Sequence, residues 1–213
     1  MSSIQELFDG NAQWVEDTLK RDPHFFDHLA AGQSPQYLWI GCSDSRVPAS
    51  EITNMLPGSI FVQRNIANQV NNTDTNVLSV IYYAVKYLRV KHILVVGHYG
   101  CGGVLGAMSH AKFGFLDNWL VNIKNIYYTH RQELNAISDE KQRGNRLVEL
   151  NVMEQVSNLS KISFIQEEWS EGTELGIHGL VYSLSDGKLV DLKVSRTSKE
   201  FVPEIFQFEH PTT

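Results

Sequence analysis

Two cysteines, Cys42 and Cys101, are the only thiols in the chain. Cys42 opens the run Cys42-Ser-Asp44-Ser-Arg46, and Cys101 sits in His98-Tyr-Gly-Cys101-Gly-Gly103. Two thiolates and one imidazole form a catalytic zinc set, in which the fourth position is left to water or substrate. The thiolates cancel the charge of a dication and the imidazole adds none. Water bound there ionises less readily than in a three-histidine site. Asp44 and Arg46 are two positions apart, so extended backbone puts both side chains on one face, where they can pair. A carboxylate so close to a ligand either binds the metal or is held off it. Plainer readings compete with this one. His-x-x-Cys alone fits a buried thiol beside a core histidine. Gly100-Cys-Gly-Gly103 fits a tight strand-to-helix turn. A redox pair is disfavoured because Cys-x-x-Cys is absent.

For these groups to meet, the fold must bring two strand ends together. Residues 37–41 are short and apolar and predict a buried strand; 59–64 predict a second and 92–97 a third. Helices are expected over 48–55, with Pro48 in the first turn, and from an Asp74 cap to about residue 88. In the latter, Val77, Ile81, Ala84, Val85 and Leu88 share one side. Gly102-Gly103 opens another helix. Cys42 and the His98–Cys101 turn then lie just past the carboxyl ends of two strands, where open α/β sheets place their ligand sites. Residues 117–169 read as helical with a break near 138–144. Residues 175–184 and 188–194 read as late strands around the hairpin turn Ser185-Asp-Gly187. At the amino end, Ser3-x-x-Glu6 reads as a capping box. It precedes a helical stripe of Ile4, Leu7, Phe8, Val15 and Leu19, which packs on the chain's own core or on a partner. The predicted class is α/β: a mainly parallel central β-sheet flanked by helices, with an N-terminal helical arm and a late antiparallel edge strand. One domain spans 1–213, with the arm over 1–35, the zinc-binding core over 36–195 and a tail over 196–213.

Cys42-x-Asp44-x-Arg46 together with His98-x-x-Cys101-Gly-Gly103 resembles the signature of the β-carbonic anhydrases. The resemblance runs from about Gln33 to Val194. It takes in Trp39-Ile-Gly-Cys-Ser-Asp-Ser-Arg-Val-Pro48, Phe61-Val-Gln-Arg-Asn65 and Gly97-His-Tyr-Gly-Cys-Gly-Gly103. Asn151-Val-Met-Glu-Gln155 and Ile177-His-Gly179 match bacterial members. The resemblance implies reversible hydration of CO₂ to bicarbonate and a proton by zinc-bound hydroxide, with one Zn²⁺ per chain. Cys42, His98 and Cys101 would be ligands and Asp44 a switchable fourth. Arg46 would anchor Asp44, which would orient the nucleophile. Gln33 and the backbone of Gly102 would contact substrate. Phe61 and Tyr83 would line an apolar pocket from the neighbouring subunit of a homodimer or homotetramer.

Bicarbonate-regulated, type II-like members resemble this chain further in Trp39, Val47, Arg64 and a tyrosine near Tyr182. There, bicarbonate fills a second, non-catalytic pocket, and Asp44 leaves Arg46 for zinc. Outside the family, Trp39 reads as core, Arg64 as a solvated charge and Tyr182 as a packing residue with a polar tip. Gln63 departs from the histidine common in close bacterial relatives, so the resemblance assigns no proton shuttle there. Two other readings share the scaffold: a hydrolase of carbon disulfide or another linear cumulated substrate, and a non-enzymatic bicarbonate sensor. The complete set from Cys42 to Cys101 argues against the sensor, since binding alone needs no Asp–Arg dyad.

Composition narrows the classes further. Hydrophobic residues make up 42% and charged residues 20% of the 213, and the net charge is −6. With no basic run, nucleic acid is not an expected partner. No stretch approaches the ~20 apolar residues of a membrane span. The amino terminus lacks the basic and apolar regions of a secretory signal, so a cytoplasmic location is expected.

Overall fold

The computed structural model describes residues 3–209. Two compact units divide the chain, one ending at Ser34 and one beginning at Pro35. The amino-terminal unit holds α1 (Ile4–Arg21) and α2 (Phe25–Ala30). Inside it, Trp14 packs edge-on against Phe26, with ring centroids 5.4 Å apart. Ile4, Leu7 and Phe8 on α1 remain exposed. Ser3 is the N-cap of α1 but makes no side-chain cap hydrogen bond, so the expected capping box does not form. Only the backbone closes that turn, Glu6 N–H donating to the Ser3 carbonyl.

The second unit is built on a five-stranded sheet. Its strands are β1 (Tyr37–Cys42), β2 (Ile60–Asn65), β3 (His92–His98), β4 (Gly176–Tyr182) and β5 (Leu189–Asp191), in the order β2-β1-β3-β4-β5. The first four are parallel, and β5 adds antiparallel to β4. Side chains alternate along a strand, and here they divide between two cores. Leu38, Ile40, Ile93, Val95, Ile177 and Val181 face the larger one. Trp39, Leu94, Val96, Leu180 and Tyr182 face a smaller one with Val47 and Ala49.

Helices α3 (Ala49–Ile52), α4 (Thr75–Tyr82), α5 (Gly102–Met108), α6 (Leu116–Thr129), α7 (Arg131–Ala136), α8 (Glu140–Ser160) and α9 (Ser163–Ser170) complete the unit. The long α8 packs across β3 and β4. Two glycines make that approach close. A Cβ on Gly97 would stand 2.7 Å from Val152 Cγ2, and one on Gly179 would stand 3.0 Å from Val152 Cγ1.

Several boundaries differ from the sequence expectation. Helix α3 is one turn rather than 48–55. Pro48 is its N-cap, and Asn54, with φ +51°, turns the chain out of it. Asp74 caps α4 by accepting from Asn76 N–H at 3.0 Å. The α-helix nevertheless ends at Tyr82 and continues as a π-helical turn, Tyr83–Tyr87. The late helical break is narrower than 138–144: α8 starts at Glu140, where the Asp139 carboxylate accepts from Gln142 N–H at 2.7 Å. The last strand shrinks to Leu189–Asp191, because Asp191 turns back to accept from Lys193 N–H. Among the described residues no helix is long and apolar enough to cross a membrane.

Candidate metal centre

Strand register builds the site. Gly41 on β1 pairs with Val96 on β3, so Cys42 ends its strand level with the residue before His98. The chain then reverses through Gly100, whose φ of +70° is open to glycine without strain. That turn returns Cys101 as the N-cap of α5. The two sulfurs stand 3.9 Å apart, and the ligand atoms of Cys42, His98 and Cys101 lie within 4.8 Å of one another. All three residues are buried.

The donor set fits a metal. His98 Nδ1 donates to the Tyr99 carbonyl at 3.2 Å, which leaves the lone pair on Nε2. That Nε2 is buried and has no hydrogen-bond partner. Buried polar atoms are nearly always satisfied, and a ligand-bearing histidine is oriented in this way by its other nitrogen. The Cys42 sulfur accepts backbone N–H groups from Ala67 and Asp44. Cys101 accepts them from Val104 and Gly103. A hydrogen bond from the Cys101 thiol holds Cys42 down to about 4, and the same bond with burial pushes Cys101 up. A dication bound there would displace the thiol protons.

Asp44 stands beside this cluster. Arg46 grips it with two bonds, Nε to Oδ1 at 2.9 Å and Nη2 to Oδ2 at 2.7 Å. Those bonds hold the Asp44 carboxyl well below the usual carboxylate range. Asp44 Oδ2 lies 3.6 Å from His98 Nε2. Beyond Arg46 the surface opens into a cavity of about 850 Å³ that also reaches Tyr99, Gly100 and Ser183. Gly102 begins α5 with open space at its Cα.

The structure brings Trp39, Val47 and Tyr182 into the smaller core. Trp39 is fully buried, and its indole Nε1 has no partner. Arg64, the β2 neighbour of Gly41, sends its guanidinium to the metal loop instead. Its Nε donates to the Cys42 carbonyl at 2.8 Å and its Nη2 to the Asp44 carbonyl. Phe61 and Tyr83 meet each other, with ring centroids 5.9 Å apart. Phe61 pairs with Leu38, four residues before Cys42. At about 3.3 Å per residue it lies roughly 13 Å from the metal end of its own sheet. Gln33 is an exposed residue of the amino-terminal unit.

Sequence reasoning missed the backbone that supports Cys42. Ala67 lies in the left-handed region, at φ 61° and ψ 34°. Its carbonyl takes hydrogen bonds from Asn151 Nδ2 at 3.0 Å and from Gln69 Nε2 at 2.9 Å. Buried amides four apart on one face of a helix were the available signal.

Comparison with known proteins finds extensive similarity in sequence and fold. The sequence profile of the carbonic anhydrase family matches residues 37–189. A carbonic anhydrase of Emericella nidulans is 50% identical over 189 residues, which are 89% of this chain and 83% of that protein. A tetrameric β-carbonic anhydrase from Sordaria macrospora superposes with a TM-score of 0.88 at 42% identity, covering 91% of this chain and 98% of the other. A Coccomyxa β-carbonic anhydrase, solved in complex with acetazolamide, gives a TM-score of 0.89 at 34% identity, with 94% and 90% covered.

Proposed function

Because the chain belongs to the β-carbonic anhydrase family, we propose that it hydrates CO₂ reversibly to bicarbonate and a proton, using one zinc ion held by Cys42, His98 and Cys101. The observation that carries this reading is His98 Nε2, buried without a partner beside two thiols and an arginine-held carboxylate. Zinc supplies the Lewis acidity that makes water a nucleophile near neutral pH. The chain's residues do the rest. Asp44, ionised and gripped by Arg46, accepts a hydrogen bond from the attacking water and turns its lone pair toward CO₂. Arg64 holds the loop that carries Asp44. The Gly102 backbone holds a substrate oxygen. Phe61 is distant from the metal end of its own sheet and Tyr83 meets it, so the pair serves the apolar pocket of a neighbouring subunit.

The same reading includes regulation by bicarbonate. An unpartnered indole N–H in a small core with Val47 and Tyr182 suits a small oxyanion. Arg64 couples that region to Asp44, since its guanidinium bonds the Asp44 carbonyl. An anion that draws Arg64 away loosens the loop, and Asp44 can then exchange Arg46 for the metal. The assembly is a homodimer or homotetramer. The exposed Ile4, Leu7 and Phe8 of α1 supply apolar surface for it, and the Sordaria macrospora relative is tetrameric. A reducing cytoplasm suits two free thiols 3.9 Å apart that must stay unpaired to take a metal.

A stopped-flow assay of CO₂ hydration tests the activity. Zinc-loaded protein that is inactive above about pH 8, where a pH-gated enzyme of this kind should be on, would turn the reading toward the carbon disulfide type of hydrolase.

A further inference from the structure

Helix α8 carries two buried amides, Asn151 and Gln155, each 1% exposed and one helical turn apart. Both turn to the segment that follows β2. Gln155 Oε1 accepts from Val70 N–H at 2.8 Å, and its Nε2 donates to Asn151 Oδ1 at 3.1 Å. Gln69 Nε2 also donates to Asn151 Oδ1, at 2.6 Å. With two donors on its oxygen, the Asn151 amide has one orientation, and its Nδ2 points at the Ala67 carbonyl, 3.0 Å away. Ala67 is fully buried and sits at φ 61°, a conformation that residues with a Cβ avoid. The Ile66–Asn68 turn that holds Ala67 packs on β1, and the Ala67 N–H, on the other side of the same Cα, hydrogen-bonds the Cys42 sulfur at the end of that strand. The φ and ψ of Ala67 fix the angle between that N–H and that carbonyl. Holding the carbonyl therefore aims the N–H.

We propose that Asn151, braced by Gln155 and Gln69, is a positioning residue of the metal centre: it locks Ala67 in the left-handed conformation that points its N–H at the Cys42 sulfur. The inference rests on the Cys42–His98–Cys101 metal reading. Groups that hydrogen-bond a metal ligand orient it and tune its donor strength, and losing one costs roughly 10- to 100-fold in metal affinity. The amide reaches the metal through Ala67, so it needs no contact with substrate.

The test uses Asn151→Ser, Ala67→Gly and their combination, measured by chelator competition for Zn²⁺ and by the thiolate-to-metal absorption of the Co²⁺-loaded protein. Glycine enters the left-handed region at no steric cost, so a chain with Ala67→Gly needs no brace to reach it, and that single variant is the reference for the combination. N151S should weaken Zn²⁺ binding by about 10- to 100-fold and shift the Co²⁺ charge-transfer band. Adding Ala67→Gly should restore most of both. If N151S fails to fold, Asn151→Asp replaces it, since that change keeps the shape but turns the donor facing Ala67 into an acceptor. Unchanged affinity and band in a folded Asn151 variant would overturn the proposal, and so would losses that Ala67→Gly leaves in place. A parent protein that binds neither Zn²⁺ nor Co²⁺ would instead overturn the metal reading itself.

Discussion

Asp44 Oδ2 lies 3.6 Å from His98 Nε2 while accepting from Arg46 Nη2 at 2.7 Å. One oxygen therefore faces a guanidinium and the nitrogen offered to the metal. Its working role depends on which of them holds it. With Arg46 in place the carboxylate is kept off the metal but within reach of a water there. Without Arg46 nothing opposes its move onto the fourth metal position.

Arg46→Ala should accordingly be a poor enzyme even though it keeps every metal ligand. We expect kcat/KM for CO₂ hydration to fall by about 10²- to 10⁴-fold, the range typical of a lost proton-handling group. Asp44→Asn should fall comparably, and the double variant little further, because the two residues act as one unit. Stopped-flow rates on zinc-loaded variants check this. Fully additive losses would show that Arg46 does something other than hold Asp44.

Metal removal should cost stability as well as activity. The apo site leaves His98 Nε2 buried and unsatisfied beside two sulfurs 3.9 Å apart. At a metal concentration a thousandfold above Kd, binding stabilises the fold by about 4 kcal/mol. Chelation should therefore lower the melting temperature by several degrees, and Zn²⁺ should restore it. His98→Ala should show neither effect. A melting curve indifferent to chelator would count against a metal held by these residues.

Cys42, His98 and Cys101 were legible as a set because the first two end apolar strand runs, 37–41 and 92–97, and Cys101 follows in a glycine-flanked turn. Their meeting follows from parallel register. What stayed hidden is backbone. Nothing local marks Ala67 as left-handed, since alanine favours the right-handed region, and the amides that bond its carbonyl, Gln69 and the Asn151 of a distant helix, carry no such label in the sequence. The contacts of Arg64 are hidden for a similar reason: its residue type says only charge, and strand pairing puts its guanidinium on the Cys42 and Asp44 carbonyls. The short α3 and the π-helical turn after Tyr82 likewise reflect packing that overrides periodicity.

Gly97 offers a test of how α8 is docked. A Cβ there would fall 2.7 Å from Val152 Cγ2 and 3.2 Å from Val148 Cγ1, both on α8. Gly97→Ala should destabilise by about 1–3 kcal/mol, as overpacked cores do. Chemical denaturation measures this, with Val152→Ala added to relieve the clash. A compensating second change that recovers much of the loss would locate the strain at that contact. No recovery would mean that α8 does not rest there.

The pH dependence follows from which group can titrate. Arg46 depresses the Asp44 pKa, so the stability gained from that pair is fully present above the unfolded value of about 3.9 and fades only as pH falls toward the lower folded value. Asp44 is therefore ionised throughout the neutral range, and protonating it cannot be the switch. The remaining variable is the competitor for the fourth position, which gains on the carboxylate as hydroxide becomes available. Activity should be low at mildly acidic pH and rise above neutrality, and added bicarbonate should deepen the acid-side loss. Trp39→Phe removes the unpartnered indole N–H while keeping an aromatic side chain in the small core. It should abolish the bicarbonate effect and leave the alkaline rate within about twofold, since a change that spares the transition state spares kcat. Stopped-flow rates across about pH 6.5 to 9, with and without bicarbonate, decide the matter. A flat profile in the parent would sink the switch. A parent profile that Trp39→Phe reproduces in full would move the anion site away from the indole.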